Sequence, residues 1–182
     1  MILTGREIEK QVAKNRIRIF PFDSRKITTN SYDLKLGTNI LKYTSKIIDP
    51  TRKSNFEIIK IPQEGLLMKK GDFLLGSTDE KVGSNFYVPI IHAKSSIARM
   101  GLFIHITADI IDIGSFGNLT LQMFATLPIR LYPNMLIAQV SFWVPRGKII
   151  LYNGKYQGSD GPMPSLGYMD FGKKIKRNVG TK

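Results

Sequence analysis

The chain has no cysteine, only two histidines (His92 and His105) and one tryptophan among 182 residues. Without thiols it forms no disulfide, and it lacks the Cys and His sets that usually hold zinc, so no zinc cofactor is expected. Acid is also scarce. Against 27 Lys and Arg there are 14 Asp and Glu, a net charge of +13 at pH 7. No apolar run approaches the roughly twenty residues of a membrane span, and the first residues show no apolar core of a signal peptide. Repeats and low-complexity segments are absent as well. These absences point to a soluble, cytoplasmic protein that does not engage membranes.

What remains, with 42% hydrophobic content, is enough for one core, so residues 1–171 are expected to form a single domain. A basic tail, 172–182, is expected to be flexible. Its cluster Lys173-Lys174-Ile175-Lys176-Arg177 is most simply a solvated end. The positive field attracts anions. Polyphosphates fit it, as nucleic acid or an acidic protein would, although neither macromolecule is favoured over the simpler partner.

Hydropathy patterning gives the elements. Thr4 with Glu7 forms a capping-box pattern, Ile8 and Val12 an apolar stripe, and Asn15 a stop, which predicts a helix to about Lys14. Ile17 and Ile19 alternate with Arg18 and Phe20, and Ser31 to Gly37 alternates as well, so both read as strands. Asp33 lies on the second of these, where a structural hydrogen bond is the simplest role for a lone acid. Ile40 to Phe86 mixes short apolar runs with Gly, Pro, Asp and Ser. In Asn118 to Phe124, Leu119, Leu121 and Met123 share one face, leaving Thr120, Gln122 and Phe124 on the other. Leu136 to Trp143 reads as a central buried strand, with Gln139 bonded internally and Trp143 a core or interface anchor.

The densest chemistry lies between Ala93 and Gln122. Ser95 and Ser96 begin a run, SSIARMG, that predicts a helix of one or two turns closed by a glycine. Lys94, the two hydroxyls and Arg99 would then face one spot suited to a polyphosphate. On that pattern alone an ordinary capped surface helix is the simpler reading. Leu102 to Ile106 follows as a predicted buried strand, then a polar corner through Asp112 and a Gly-punctuated turn at 113–117.

Five collinear motifs, NSYDLKLG, AKSSIARMGL, HITADIID, GSFGNLTLQ and YNGKYQGSDGPMPS, together resemble the dCTP deaminase branch of the dCTP deaminase/dUTPase superfamily. The resemblance covers roughly Met1 to Phe171 and implies a mainly β, dUTPase-like distorted barrel or jelly-roll-like antiparallel fold. It also implies a homotrimer with active sites shared between subunits, acting on dCTP or dUTP. By the same resemblance Ser95, Ser96 and Arg99 match residues that hold phosphates and order the reactive end of the site, with Lys94 where the family usually has arginine. His105, Ile106, Thr107 and Ala108 match the segment that reads the pyrimidine. Asp112 matches an aspartate against the deoxyribose, which in the dUTPase branch activates the attacking water. Tyr152, Lys155 and Tyr156 match a C-terminal segment that closes over the nucleotide, and Ser159 replaces its usual glutamine. Mg²⁺ would accompany the nucleotide on its phosphates.

Gln122 stands where the deaminase branch has glutamate. Removing a pyrimidine amino group takes a base for the water and an acid for the leaving amine, and a neutral amide supplies neither. Asp109, where the deaminases often have histidine, is the nearest substitute besides Asp112. Three readings follow. One is dUTP hydrolysis to dUMP and pyrophosphate with Asp112 as base; another is dCTP deamination through a different acid/base. The third is a nucleotide-binding or partner-binding homologue without turnover.

Overall fold

The computed structural model describes residues 1–171; the basic tail read from the sequence lies outside the described residues. Helices α1 (Gly5–Ala13) and α2 (Ser95–Ala98) and a 3-10 turn (Ser24–Lys26) accompany eleven strands among the described residues: β1 (Ile17–Phe20), β2 (Tyr32–Lys35), β3 (Asn39–Tyr43), β4 (Phe56–Lys60), β5 (Leu66–Met68), β6 (Phe73–Ser84), β7 (Val88–Ala93), β8 (Leu102–Phe103), β9 (Phe116–Ala125), β10 (Ile129–Leu131) and β11 (Leu136–Trp143). The architecture is mainly β, as expected, and every strand pairing is antiparallel.

A six-stranded sheet runs β4-β3-β6-β9-β8, with β1 also on β6, and a three-stranded sheet runs β2-β11-β7. Their apolar faces share one core: Ile17, Ile40, Val82, Leu121 and Met123 from the larger sheet, Tyr32, Leu34, Ala138, Val140 and Phe142 from the smaller. The alternation read in β9 is observed, since Leu121 and Met123 are buried while Thr120, Gln122 and Phe124 lie half-buried on the other face. Strand β11 is the central strand of its sheet, as its sequence predicts. Its outward face carries Gln139, which accepts a hydrogen bond from Ser31 Oγ at 2.9 Å, and Trp143, which is partly exposed.

Several expectations need correction. Thr4 is the N-cap of α1, but its hydroxyl makes no cap bond. The first turn is docked instead: Gly5 N–H donates to Thr29 O at 2.8 Å, and a Cβ on Gly5 would stand 1.9 Å from Thr28 O. Glu7 accepts from Gln11 rather than completing a capping box. The Leu102 to Ile106 run is a strand only at Leu102–Phe103; Leu102 and Ile104 are buried, but Phe103 and Ile106 face outward. Strand β2 does not alternate in burial, because Tyr32, Asp33 and Leu34 are all enclosed.

Candidate active site

The predicted site residues are placed by three pieces of chain around β9. The first is α2. Ile97 anchors its single turn in the core, and Gly101 ends it at φ +80°, where its missing Cβ leaves room for Thr126 Oγ1. Ser95, Ser96 and Arg99 are exposed, and no side-chain partner holds them among the described residues. Lys94 is different. Its backbone N–H donates to Ile137 O at 3.1 Å, and its ammonium is bound to Asp33 of β2.

The second piece, 104–113, returns along β7: Ile91 N–H donates to Asp109 O and Ile111 N–H to Pro89 O, each at 3.0 Å. This brings His92, His105 and Asp109 together. Burial lowers the pKa of both imidazoles, and the Asp109 charge opposes that shift. Both ring nitrogens of His105 are buried without a partner, so a ligand in this corner would meet a ring with unused hydrogen-bonding capacity. Ile106, Thr107, Ala108 and Asp112 are exposed. Asp112 sits at the corner itself, with its carbonyl accepting from Ser115 N–H at 3.0 Å.

The third piece is the C-terminal segment, which lies on the first half of β9. Gly158 N–H donates to Phe116 O at 3.1 Å and Asn118 N–H to Ser159 O at 2.9 Å. Met163 N–H reaches Thr120 Oγ1 at 3.1 Å. Inside the segment, Tyr152 OH accepts from Tyr156 N–H at 3.0 Å and Tyr156 OH from Leu166 N–H at 2.9 Å. Ser159 Oγ donates to Tyr156 O at 2.6 Å. Lys155 is paired with Asp170, whose carboxylate raises the lysine pKa.

Sequence reasoning missed the residues that fasten this segment. Asn118 Nδ2 donates to Thr78 O at 2.9 Å while its Oδ1 accepts from Gly161 N–H at 3.1 Å. Gln157 accepts from Phe116 N–H at 2.8 Å and donates to Gly114 O at 2.9 Å. Both stand in the quoted motifs, but only the folded contacts reveal their partners. A cavity of about 260 Å³ near Asn118, bordered by Phe20, Thr38, Thr78, Lys81 and Asp160, contains none of the predicted site residues.

The second and third pieces meet, with Tyr152 N–H donating to Ile113 O at 2.7 Å, but α2 stands apart from the C-terminal segment. The C-terminal segment meets β9 at Phe116 to Thr120, whereas α2 leads into β8, which pairs at Phe124 and Ala125. Phe116 and Phe124 are eight residues apart on β9, roughly 26 Å at about 3.3 Å per residue. Gln122 lies between, opposite Leu75 of β6, with its amide unpartnered among the described residues.

The fold is a mainly β one of the dCTP deaminase/dUTPase type. The crystal structure of 2'-deoxycytidine 5'-triphosphate deaminase from Agrobacterium tumefaciens shares the fold, with a TM-score of 0.62 over 79% of this chain and 48% of that one, at 20% identity. A model of the dCTP deaminase-like family matches residues 2–144, and the chain belongs to that family. It is 45% identical over 174 residues to a "dCTP deaminase, dUMP-forming" of Clostridium beijerinckii, covering 95% of this chain and 100% of the relative. A Leptospira biflexa protein of the same description is 41% identical over 175 residues, covering 96% and 100%. No helix among the described residues is long and apolar enough to cross a membrane.

Proposed function

We propose that this protein binds pyrimidine deoxynucleoside triphosphates between protomers and hydrolyses dUTP to dUMP and pyrophosphate, without deaminating dCTP. The observation that carries this is an unpartnered neutral amide, Gln122, on β9, where deamination needs an acid/base, beside the retention of an exposed carboxylate, Asp112, in the turn that leads into that strand. Relatives named for forming dUMP from dCTP must both remove an amino group and release pyrophosphate. The first step needs an acid/base at the pyrimidine. The second needs a base for water and stabilisation of phosphate charge.

Asp112 takes the proton from a water whose oxygen bonds to the α-phosphorus as the bond to the β-phosphate oxygen breaks. Ser95, Ser96 and Arg99 of a second protomer supply the phosphate contacts, since their own chain holds them far from the C-terminal segment. A homotrimer satisfies this sharing. His105 to Ala108 face the pyrimidine, and Tyr152, Lys155, Tyr156 and Ser159 close over the nucleotide, with Lys155 exchanging Asp170 for phosphate. Among the described residues no group of three or more His, Cys, Asp or Glu is arranged to hold a metal. Mg²⁺ would enter with the nucleotide, ligated by phosphate oxygen and water.

A binding role without turnover is the second reading. It is favoured by the contacts of Lys94, Lys155 and Ser159, each already bonded within its own chain. The test is Asp112→Asn: pyrophosphate release falls by about 10²- to 10⁴-fold while dUTP affinity holds. Unchanged turnover would overturn the role of Asp112, and no turnover by the unaltered protein would leave the binding role.

A further inference from the structure

The first turn of the phosphate-binding piece is too short to stand alone. α2 has four residues, and a single turn fixes more backbone freedom than its few hydrogen bonds repay. Its position must come from outside the turn's own hydrogen bonds, and a polar row across the smaller sheet adds to the anchor of Ile97. Gln139 lies in register with Asp33 on one side and His92 on the other. Its amide accepts from Ser31 Oγ at 2.9 Å and donates to Ala93 O at 3.4 Å, the residue before the N-cap. Lys94 then returns across the sheet to Asp33.

We propose that Lys94 and Asp33 form a positioning pair that holds α2, and that Lys94 does not contact the nucleotide. This rests on the reading of Ser95, Ser96 and Arg99 as phosphate ligands. Asp33 is 8% exposed, and its second oxygen, Oδ1, is buried without any partner, so compensation of that carboxylate depends on Lys94. Turning Lys94 toward a triphosphate would strand a buried negative charge, which costs more than an exposed phosphate contact returns. Asp33 itself would also repel the incoming anion. Ser95, Ser96 and Arg99 carry neither restraint.

The test uses the full chain with Mg²⁺, comparing the unaltered protein with Asp33→Asn, Lys94→Met, the double variant and Lys94→Arg. Calorimetric titration with the α,β-imido analogue of dUTP, whose P–N–P bridge resists hydrolysis, is expected to show each single neutral variant weakened about five- to twentyfold. The double variant should be no weaker than the worse single one, Lys94→Arg near the unaltered protein, and the loss smaller for dUMP. A direct phosphate ligand predicts the opposite for Asp33→Asn: freeing Lys94 would leave dUTP binding unchanged or tighter, and that result overturns the proposal. Hydrogen exchange without nucleotide gives a second readout that does not need Asp33→Asn to fold. In Lys94→Met the Ala98, Arg99 and Gly101 amides should exchange at least about tenfold faster; unchanged protection overturns the pair. If the unaltered protein binds no dUTP yet α2 exchange still responds, the phosphate reading fails while the tether stands.

Discussion

Gly117 and Ser159 are in backbone contact: a Cβ built on Gly117 would stand 2.7 Å from Ser159 N and 2.8 Å from Ser159 O. The C-terminal segment can lie along β9 only because that side chain is missing. Gly117→Ala should therefore push the segment off the strand, weaken dUTP binding at least about tenfold, and destabilise the fold by about 1–3 kcal/mol. Calorimetric titration and urea unfolding read the two effects. Unaltered affinity would mean that the segment does not close over nucleotide.

Gln122→Glu should restore an acid/base on the open face of β9. Ammonia release from dCTP, measured with a coupled assay, is expected to rise from background. No gain would place the obstacle to deamination elsewhere, with Asp109 and Ile110 at the corner as the next positions to change.

Burial holds the pKa values of His92 and His105 below the ordinary 6.5 of imidazole. Just below pH 6.5 the unfolded chain therefore binds more protons than the folded one, and stability falls as pH drops. The contribution is complete above pH 6.5. Thermal unfolding followed from pH 7.5 to 5 should show this loss, with a shallower slope in His105→Gln. Asp109→Asn should steepen it, because the carboxylate supports both charged imidazoles. Equal slopes in all three proteins would contradict the placement of this cluster.

Glu80 is fully buried and ion-paired with Lys26, and its other oxygen accepts from Lys35 N–H at 2.9 Å. Lys26→Met leaves an uncompensated buried carboxylate and should cost about 3–5 kcal/mol. Adding Glu80→Gln should recover part of that loss. Denaturant unfolding of the single and double variants measures both, and additive losses would contradict the coupling.

Periodicity made α1, β1 and β9 legible, because each buries one face more than the other, and a nearly continuous apolar run marked β11, which is enclosed along most of its length. Periodicity failed for β2, where Asp33 is enclosed through its bond to Lys94, and for Ile106, whose apolar side chain faces outward from an irregular return along β7. The motifs marked nearly every candidate site residue. They could not show that Lys94 is turned to Asp33, since a lysine before two serines reads as a phosphate ligand until the strand beside it is known. Nor does spacing along a chain reveal that α2 and the C-terminal segment sit at opposite ends of one strand. That separation supports the proposed site between protomers, which the family resemblance had also implied.

The most direct test is to incubate the purified protein with Mg²⁺ and either dUTP or dCTP, and to resolve the nucleotides by chromatography. The expected result is dUMP and pyrophosphate from dUTP, with dCTP unchanged. Appearance of dUTP or dUMP from dCTP, or recovery of dUTP intact, would contradict it.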